Sequence, residues 1–458
     1  MKKIHAIIII ALSLFCINTV AQVPVVAHAQ KKPVLLSGAT IHTGTGTVIE
    51  NGAVAFSGGK ITFVGKVSDF KGDRTSFEVI DVTGKQLYPG LIFPNTNLGL
   101  VEIDGVDVTV DNRETGDLNP NVRSIVAYNT DSHVIPVVRS NGILLAQVVP
   151  SGTLLPGTAS VVQLDAWNWE DAIYKADDGL IMGWPRRSSA MGRGGVSTYP
   201  QPSASASASA GESAYDRNVE QLEKIFTDAV AYSQIEKPEN WNLRLEAMKG
   251  LFDGSKILYL NASDPKGIIA AISFAKRHGV KRIVLTGADE SAWAVKDFLK
   301  ENNIPVILSH VHALPRYEFS DIRLPFKLAA MFIKEGILTG LTYATPAYGY
   351  NLPFAAGQTV PYGLTKEEAL QTVTLNNAKI LGIDDVTGSV EEGKDANIVV
   401  SAGDILDMMT NNIEYAFIAG RNISLDNKHK QLYRRFQSKY EKDRKSTRLN
   451  SSQVSQYR

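Results

Sequence analysis

His310-Val311-His312 follows the strand-like run 304–308 in a chain with only eight histidines. Side chains alternate faces along a strand, so this spacing aims both imidazoles the same way. A neutral imidazole is a good ligand for a divalent metal. A metal site here needs a third ligand, for which His133, Asp264 and Glu102 are the available donors. The same pair can equally cap loop backbone with one ring and face water with the other, which makes no site. A second pair with that spacing, Asn95-Thr96-Asn97, closes the apolar run that begins at Leu91. Its carboxamides also share a face, but an amide oxygen is weakly basic and binds zinc poorly.

The asparagine pair ends the stretch Gly84-Lys85-Gln86-Leu87-Tyr88-Pro89-Gly90-Leu91-Ile92-Phe93-Pro94-Asn95-Thr96-Asn97. A Gly-Lys turn, a Pro-Gly break and an apolar run too short for a helix read as a turn, a buried strand and a strand end carrying functional groups. This stretch resembles the opening motif of the amidohydrolase superfamily, and its strongest resemblance is to the imidazolonepropionase-like periplasmic branch. In that motif Pro-Gly-Phe/Leu-Ile-Asp-x-His-x-His begins the first strand of a metal-dependent (β/α)8 barrel. Asn95 and Asn97 stand at the histidine positions and Phe93 at the aspartate. Gly388-Ser389-Val390-Glu391-Glu392-Gly393-Lys394-Asp395-Ala396-Asn397 resembles the family's C-terminal signature, and Leu375-Asn376-Asn377-Ala378-Lys379-Ile380-Leu381-Gly382 its last helix. The resemblance covers nearly all of residues 33–425.

It implies an α/β fold, a (β/α)8 TIM-type barrel inserted into a small composite β-sandwich built from both chain ends. It also implies a metal centre whose parts are replaced. The fifth-strand motif, hydrophobic-His-Ala-x-Asp, reads Leu260-Asn261-Ala262-Ser263-Asp264, and the candidate fourth strand, 179–185, has neither Lys nor Glu. The sixth, 284–288, has no His. No Asp lies between Asp321 and Asp384, so the eighth-strand carboxylate is missing in any register. The expectation is a pseudoenzyme with no cofactor, its pocket formed by Asn95, Asn97 and Asn261. It binds a small ligand at the barrel mouth or pairs with a second copy or an active homologue. The alternative is a hydrolase of carbon–nitrogen bonds in cyclic amides or dipeptides, with one divalent metal, zinc, on His310, His312 and His133. The three amides either form a polar pocket for an uncharged ligand or hydrogen-bond one another, since buried amides need partners.

The elements that must position these groups follow from periodicity. Strand patterns fall at 91–100, 142–149, 160–164, 179–182, 256–261, 282–286, 304–308 and 337–342, alternating with helical patterns at 216–233, 266–278, 290–300, 326–334 and 366–374. That alternation suits a (β/α)8 barrel. Short β-branched runs before residue 84 and after residue 388 suit a β domain. The expected division is therefore 30–88 with 385–430 as the composite β domain, 89–384 as barrel, and 431–458 as a C-terminal helix and disordered tail. The low-complexity stretch 186–211, with its Ser-Ala repeat, reads as a flexible surface loop. Thr365 and Glu368 form a capping box, and His278 before Gly279 is a helix C-cap.

At 458 residues, 44% hydrophobic and 21% charged, the composition is that of an ordinary globular protein. Formal net charge is zero, which gives no reason to expect nucleic acid or an anionic membrane as partner. Met1-Lys2-Lys3 and the apolar run 6–15 match a secretory signal over residues 1–29 and are too short to span a bilayer, so a periplasmic location is expected. The single cysteine, Cys16, lies in that segment. A processed chain then has no thiol chemistry, as suits an oxidising compartment. Leaving out Lys2, Lys3, Lys445, Arg448 and Arg458 reduces the 47 Lys and Arg residues to 42 against 47 Asp and Glu, a mildly acidic body.

Overall fold

The computed structural model describes residues 26–187, 204–309 and 311–454, with backbone alone at 204–213 and 445–454. Most of the expected signal segment, and His310, lie outside the described residues. Five strands open the chain: β1 (Val34–His42), β2 (Val48–Ser57), β3 (Lys60–Lys66), β4 (Glu78–Asp81) and β5 (Gln86–Pro89). The turn between β2 and β3 holds Gly58 at φ 58° and Gly59 at φ 82°, conformations that only glycine adopts without cost.

The barrel sheet follows: β6 (Leu91–Thr96), β7 (Ile143–Val148), β8 (Gly157–Gln163), β9 (Ile173–Gly183), β10 (Ile257–Asn261), β11 (Ile283–Ala288), β12 (Val306–Leu308) and β13 (Thr339–Leu341). All eight expected strands are present, ordered in space as in sequence. They are not all parallel. β8 runs antiparallel to both β7 and β9, because residues 149–156, with Pro150, Gly152 and Pro156, are too few to carry the chain back for a parallel strand.

The sheet is nearly closed, with β6 and β13 as its ends, and side chains bridge the seam. Asn377 is fully buried and its Nδ2 donates to the carbonyls of Ile92 (2.9 Å) and Leu341 (3.0 Å). The Thr342 hydroxyl donates to the Pro94 carbonyl. Strand alternation sets the two faces of the barrel. Ile92, Leu145, Ile257, Tyr259, Val284 and Ile307 fill the interior, closed at one end by Ala378, Ile380 and Leu381 of the helix Leu375–Leu381. Leu258, Leu260, Leu285, Val306 and Leu308 face the surrounding helices.

Three last strands, β14 (Ile398–Ser401), β15 (Ile413–Ile418) and β16 (Arg421–Asn422), return to the first sheet, where β14 pairs antiparallel with β5. Hydrogen bonding joins both chain ends into one sheet that branches at β1: β4 pairs with Val34–Ser37, and β5 with Thr40 and Ile41 farther along. The two faces of β14 and β15 are both buried. Ile398, Val400 and Phe417 enter the core of this sheet, while Val399, Ala416 and Ile418 pack in the barrel cluster.

The helix Pro265–Arg277 starts on Asp264, whose Oδ1 accepts from Gly267 N (2.9 Å), and ends on His278 as expected. The capping box on Lys366–Val373 is formed. Three expectations need correction. The single helix at 290–300 is two, Glu290–Trp293 and Lys296–Glu301, because Val295 leaves the helical region at φ −120°, ψ 23°. Of the stretch expected as a loop, residues 204–211 open the helix Ala204–Ser233, in keeping with the high helix propensity of alanine; residues 188–203 lie outside the described residues. The C-terminal helix, Lys428–Val454, continues through most of the tail expected to be disordered. No helix among the described residues is long and apolar enough to cross a membrane.

Candidate functional site at the barrel mouth

The carboxyl ends of the barrel strands carry the polar groups of the mouth. On β10 the inward positions are Ile257, Tyr259 and then Asn261, the last residue of the strand. On β6 the pleat breaks before its end: Asn95 sits at φ 51°, a left-handed conformation that asparagine tolerates better than most residues. Its N–H donates to Gln147 Oε1 (3.0 Å). Asn97 Nδ2 donates to the Val149 carbonyl (2.7 Å) and, more weakly, to Ser151 Oγ (3.3 Å).

Two adjoining cavities result. One of about 650 Å³ is bordered by Asn95, Arg186, Asn261, Asp289, Arg316 and Tyr343, among others. The other, about 570 Å³, is bordered by Asn95, Asn97, Ser151, Trp184, Arg186 and Asn261. All three asparagines therefore line the second cavity, and among the described residues no hydrogen bond joins them to one another.

Beneath the mouth lies a buried polar chain. Gln147 Nε2 donates to Asp178 Oδ2 (3.0 Å) and the Tyr259 hydroxyl donates to the same oxygen (2.5 Å). Asp178 is 1% exposed, and its Oδ1 is buried without a partner. Burial pushes the carboxyl up to about 6, against the opposing pull of Tyr259, Lys175 and Gln147. Lys175, also on β9, points to the far end of the barrel, donating to the carbonyls of Leu381 and Gly382.

Among the described residues the candidate metal ligands are dispersed. His312 is exposed, with Nδ1 3.4 Å from the Tyr343 hydroxyl, and partial burial of its ring lowers its pKa. His133 is exposed just before the helix Val134–Arg139 and borders neither mouth cavity. Asp264 is committed to its helix cap, and Glu102 Oε1 accepts from Asn129 (3.3 Å). Among the described residues no three His, Cys, Asp or Glu side chains are grouped to hold a metal ion. The amide oxygens of the mouth do not fit a zinc centre.

Arg186, Asp289, Arg316 and Tyr343 were not singled out from the sequence. A usable signal exists: mouth residues come from the positions just past each strand, and Arg186, Asp289 and Tyr343 each follow a strand by one to three residues. Arg316 lies in the longer segment after β12, and is brought in by the ion pair of its Nη1 with Asp289 Oδ2 (2.8 Å) and by its backbone N–H, which donates to Glu290 Oε2 (3.2 Å).

A nearly closed eight-stranded α/β barrel, flanked by a sheet from both chain ends and open at the strand carboxyl ends, defines the class of protein. A family model described as the amidohydrolase family matches residues 200–423. An amidohydrolase from Thermotoga maritima MSB8 superposes with a TM-score of 0.72 at 24% identity, over 85% of this chain and 99% of that one. A molinate hydrolase superposes with a TM-score of 0.53 at 16% identity, over 87% and 96%. An imidazolonepropionase of Bacillus cereus is 55% identical over 51 residues, and that of Bacillus thuringiensis (strain Al Hakam) 53% over the same length. Those matches span only 12% of the curated relatives' length and 11% of this chain. Over residues 200–423 the chain is similar to the amidohydrolase family, and it shares its fold with the superposed amidohydrolase.

Proposed function

We propose that this protein is a periplasmic amidohydrolase-superfamily pseudoenzyme whose barrel mouth binds a small molecule without a metal. The observation that carries the reading is the placement of Asn95, Asn97 and Asn261 around one cavity at the strand ends. These are the positions where the sequence resemblance expects metal-binding histidines. Carboxamides there offer hydrogen bonds in both directions and little affinity for zinc. The missing eighth-strand carboxylate removes the expected proton acceptor as well, because Thr342, Tyr343 and Ala344 follow β13 instead. Pairing with a second copy or an active homologue belongs to the same reading.

The test is elemental analysis of the protein purified without chelator, then again after exposure to zinc and to manganese. No bound metal in either case is expected, and near-stoichiometric metal would overturn the reading. A second reading, a carbon–nitrogen hydrolase with a metal site at His310 and His312, is favoured by one observation. The His312 ring meets Tyr343, which borders the larger cavity, with ring centroids 5.9 Å apart. It requires metal that His312→Ala removes.

A further inference from the structure

We propose that the ligand of the mouth is a small organic acid whose carboxylate is met by Arg186. The inference rests on the mouth being a ligand site and replaces the expected uncharged ligand with an anionic one.

Arg186 borders both cavities, where they adjoin. It is exposed, and among the described residues it has no hydrogen-bond or ion-pair partner. Its guanidinium carries five N–H donors in a planar fork that matches a carboxylate. The second arginine of the mouth, Arg316, is held by Asp289 through Nη1, which leaves the rest of its fork uncommitted to other described residues. Asp289 is the one carboxylate bordering either cavity among the described residues, and it is occupied by Arg316 and by the backbone N–H of Ser291 (2.8 Å). Two arginines against one engaged aspartate leave the mouth electropositive.

The wall is also rich in donors. Trp184 is 8% exposed and borders the smaller cavity, and its indole N–H is buried with no acceptor. A buried donor without a partner costs free energy, and an indole can only donate. Asn97 has both described donor bonds directed to the rim segment after β7. The Arg186 fork and the Trp184 indole N–H are thus left over as donors beside amides that offer both donors and acceptors, and a ligand that satisfies these two brings acceptor oxygens and negative charge. The cavities are of the size of small-molecule sites in general, so the acid has a body beyond its carboxylate that reaches the amides of Asn95 and Asn261.

The experiment compares matched acid and amide pairs by saturation-transfer NMR and titration on the full chain: succinate and succinamide, glutarate and glutaramide, hippurate and hippuramide, with inorganic phosphate as the test for a bare anion. At least one acid is expected to bind about tenfold or more tightly than its amide, with affinity falling as salt is raised. Arg186→Gln is expected to remove that preference. Its side chain is exposed, so folding is not at stake; Arg316→Gln serves as a second variant, and Arg435→Gln, on the C-terminal helix, as an unaffected control. Equal binding of acid and amide, insensitive to Arg186→Gln, would overturn the anionic ligand while leaving a ligand site. Phosphate binding as tightly as every acid would overturn the carboxylate assignment, and binding of no probe would overturn the proposal itself. Stoichiometric metal in the elemental analysis would instead sink the metal-free reading on which it rests.

Discussion

Asp178 provides the sharpest test of how the barrel interior is built. Its carboxyl is buried at 1% exposure, and burial raises its pKa from 3.8 to about 6. The folded protein therefore holds this proton more tightly than the unfolded chain does. Stability is highest below the unfolded value near pH 4 and falls as pH rises through about 6. At about 1.4 kcal/mol per pKa unit, the cost above pH 7 is about 3 kcal/mol. Asp178→Asn removes the charge and keeps the hydrogen bonds, since an amide oxygen in place of Oδ2 still accepts from Gln147 and Tyr259. The new NH2 group takes the place of Oδ1, which has no partner now. Lys175 loses an attraction but keeps the Leu381 and Gly382 carbonyls, so the expected net gain at pH 8 is about 1–3 kcal/mol. Urea unfolding midpoints of both proteins between pH 4.5 and 8.5 measure it. The difference in stability should grow with pH; a variant weaker at every pH, or a difference that does not change, would refute the account of a carboxyl penalised by burial.

Three further perturbations test how the chain ends and the barrel are joined. His42 stacks on Tyr88 with ring centroids 4.6 Å apart, and its nitrogens meet Glu367 Oε1 (2.6 Å) and Gln86 Oε1 (2.9 Å). Burial opposes its charge, but these bonds and the charges of Glu367 and Asp404 outweigh it and raise the pKa above 6.5. This stabilisation is fully present below about pH 6.5 and lost as pH rises through the raised value, so His42→Gln should flatten the fall in thermal midpoint across that window. Asp165, 2% exposed, accepts from Arg139 (2.9 Å), Arg421 (3.1 Å) and the Ala27 N–H (3.0 Å), tying both chain ends to β8. Asp165→Ala leaves two cations unpaired and should cost about 3–5 kcal/mol in urea unfolding; a loss below 1 kcal/mol would contradict that role. Asn377→Ala strips the donors from two buried carbonyls at the barrel seam and should cost about 2–4 kcal/mol, with hydrogen exchange rising first along β6 and β13.

Local chemistry made much of the architecture legible. Apolar runs of strand length gave all eight barrel strands, Thr365 with Glu368 gave a helix start, and His278 before Gly279 a helix end. The Ser-Ala repeat shows where composition misleads, because low complexity reads as a loop while alanine's own propensity favours helix. The mouth was legible only in part. Asn95, Asn97 and Asn261 stand at strand ends that the pattern located, whereas Arg316 comes from a segment with no periodicity to say where it returns.

By itself the sequence determined the inventory: which segments pair or coil, and which donors are absent from the strand ends, since alternation, capping and composition act over a few residues. The tertiary structure alone decided the seam held by Asn377, the pairing of Arg316 with Asp289 and the raised pKa of Asp178. Each depends on groups far apart in the chain meeting in a low-dielectric interior or at a shared rim. No local pattern encodes such a meeting.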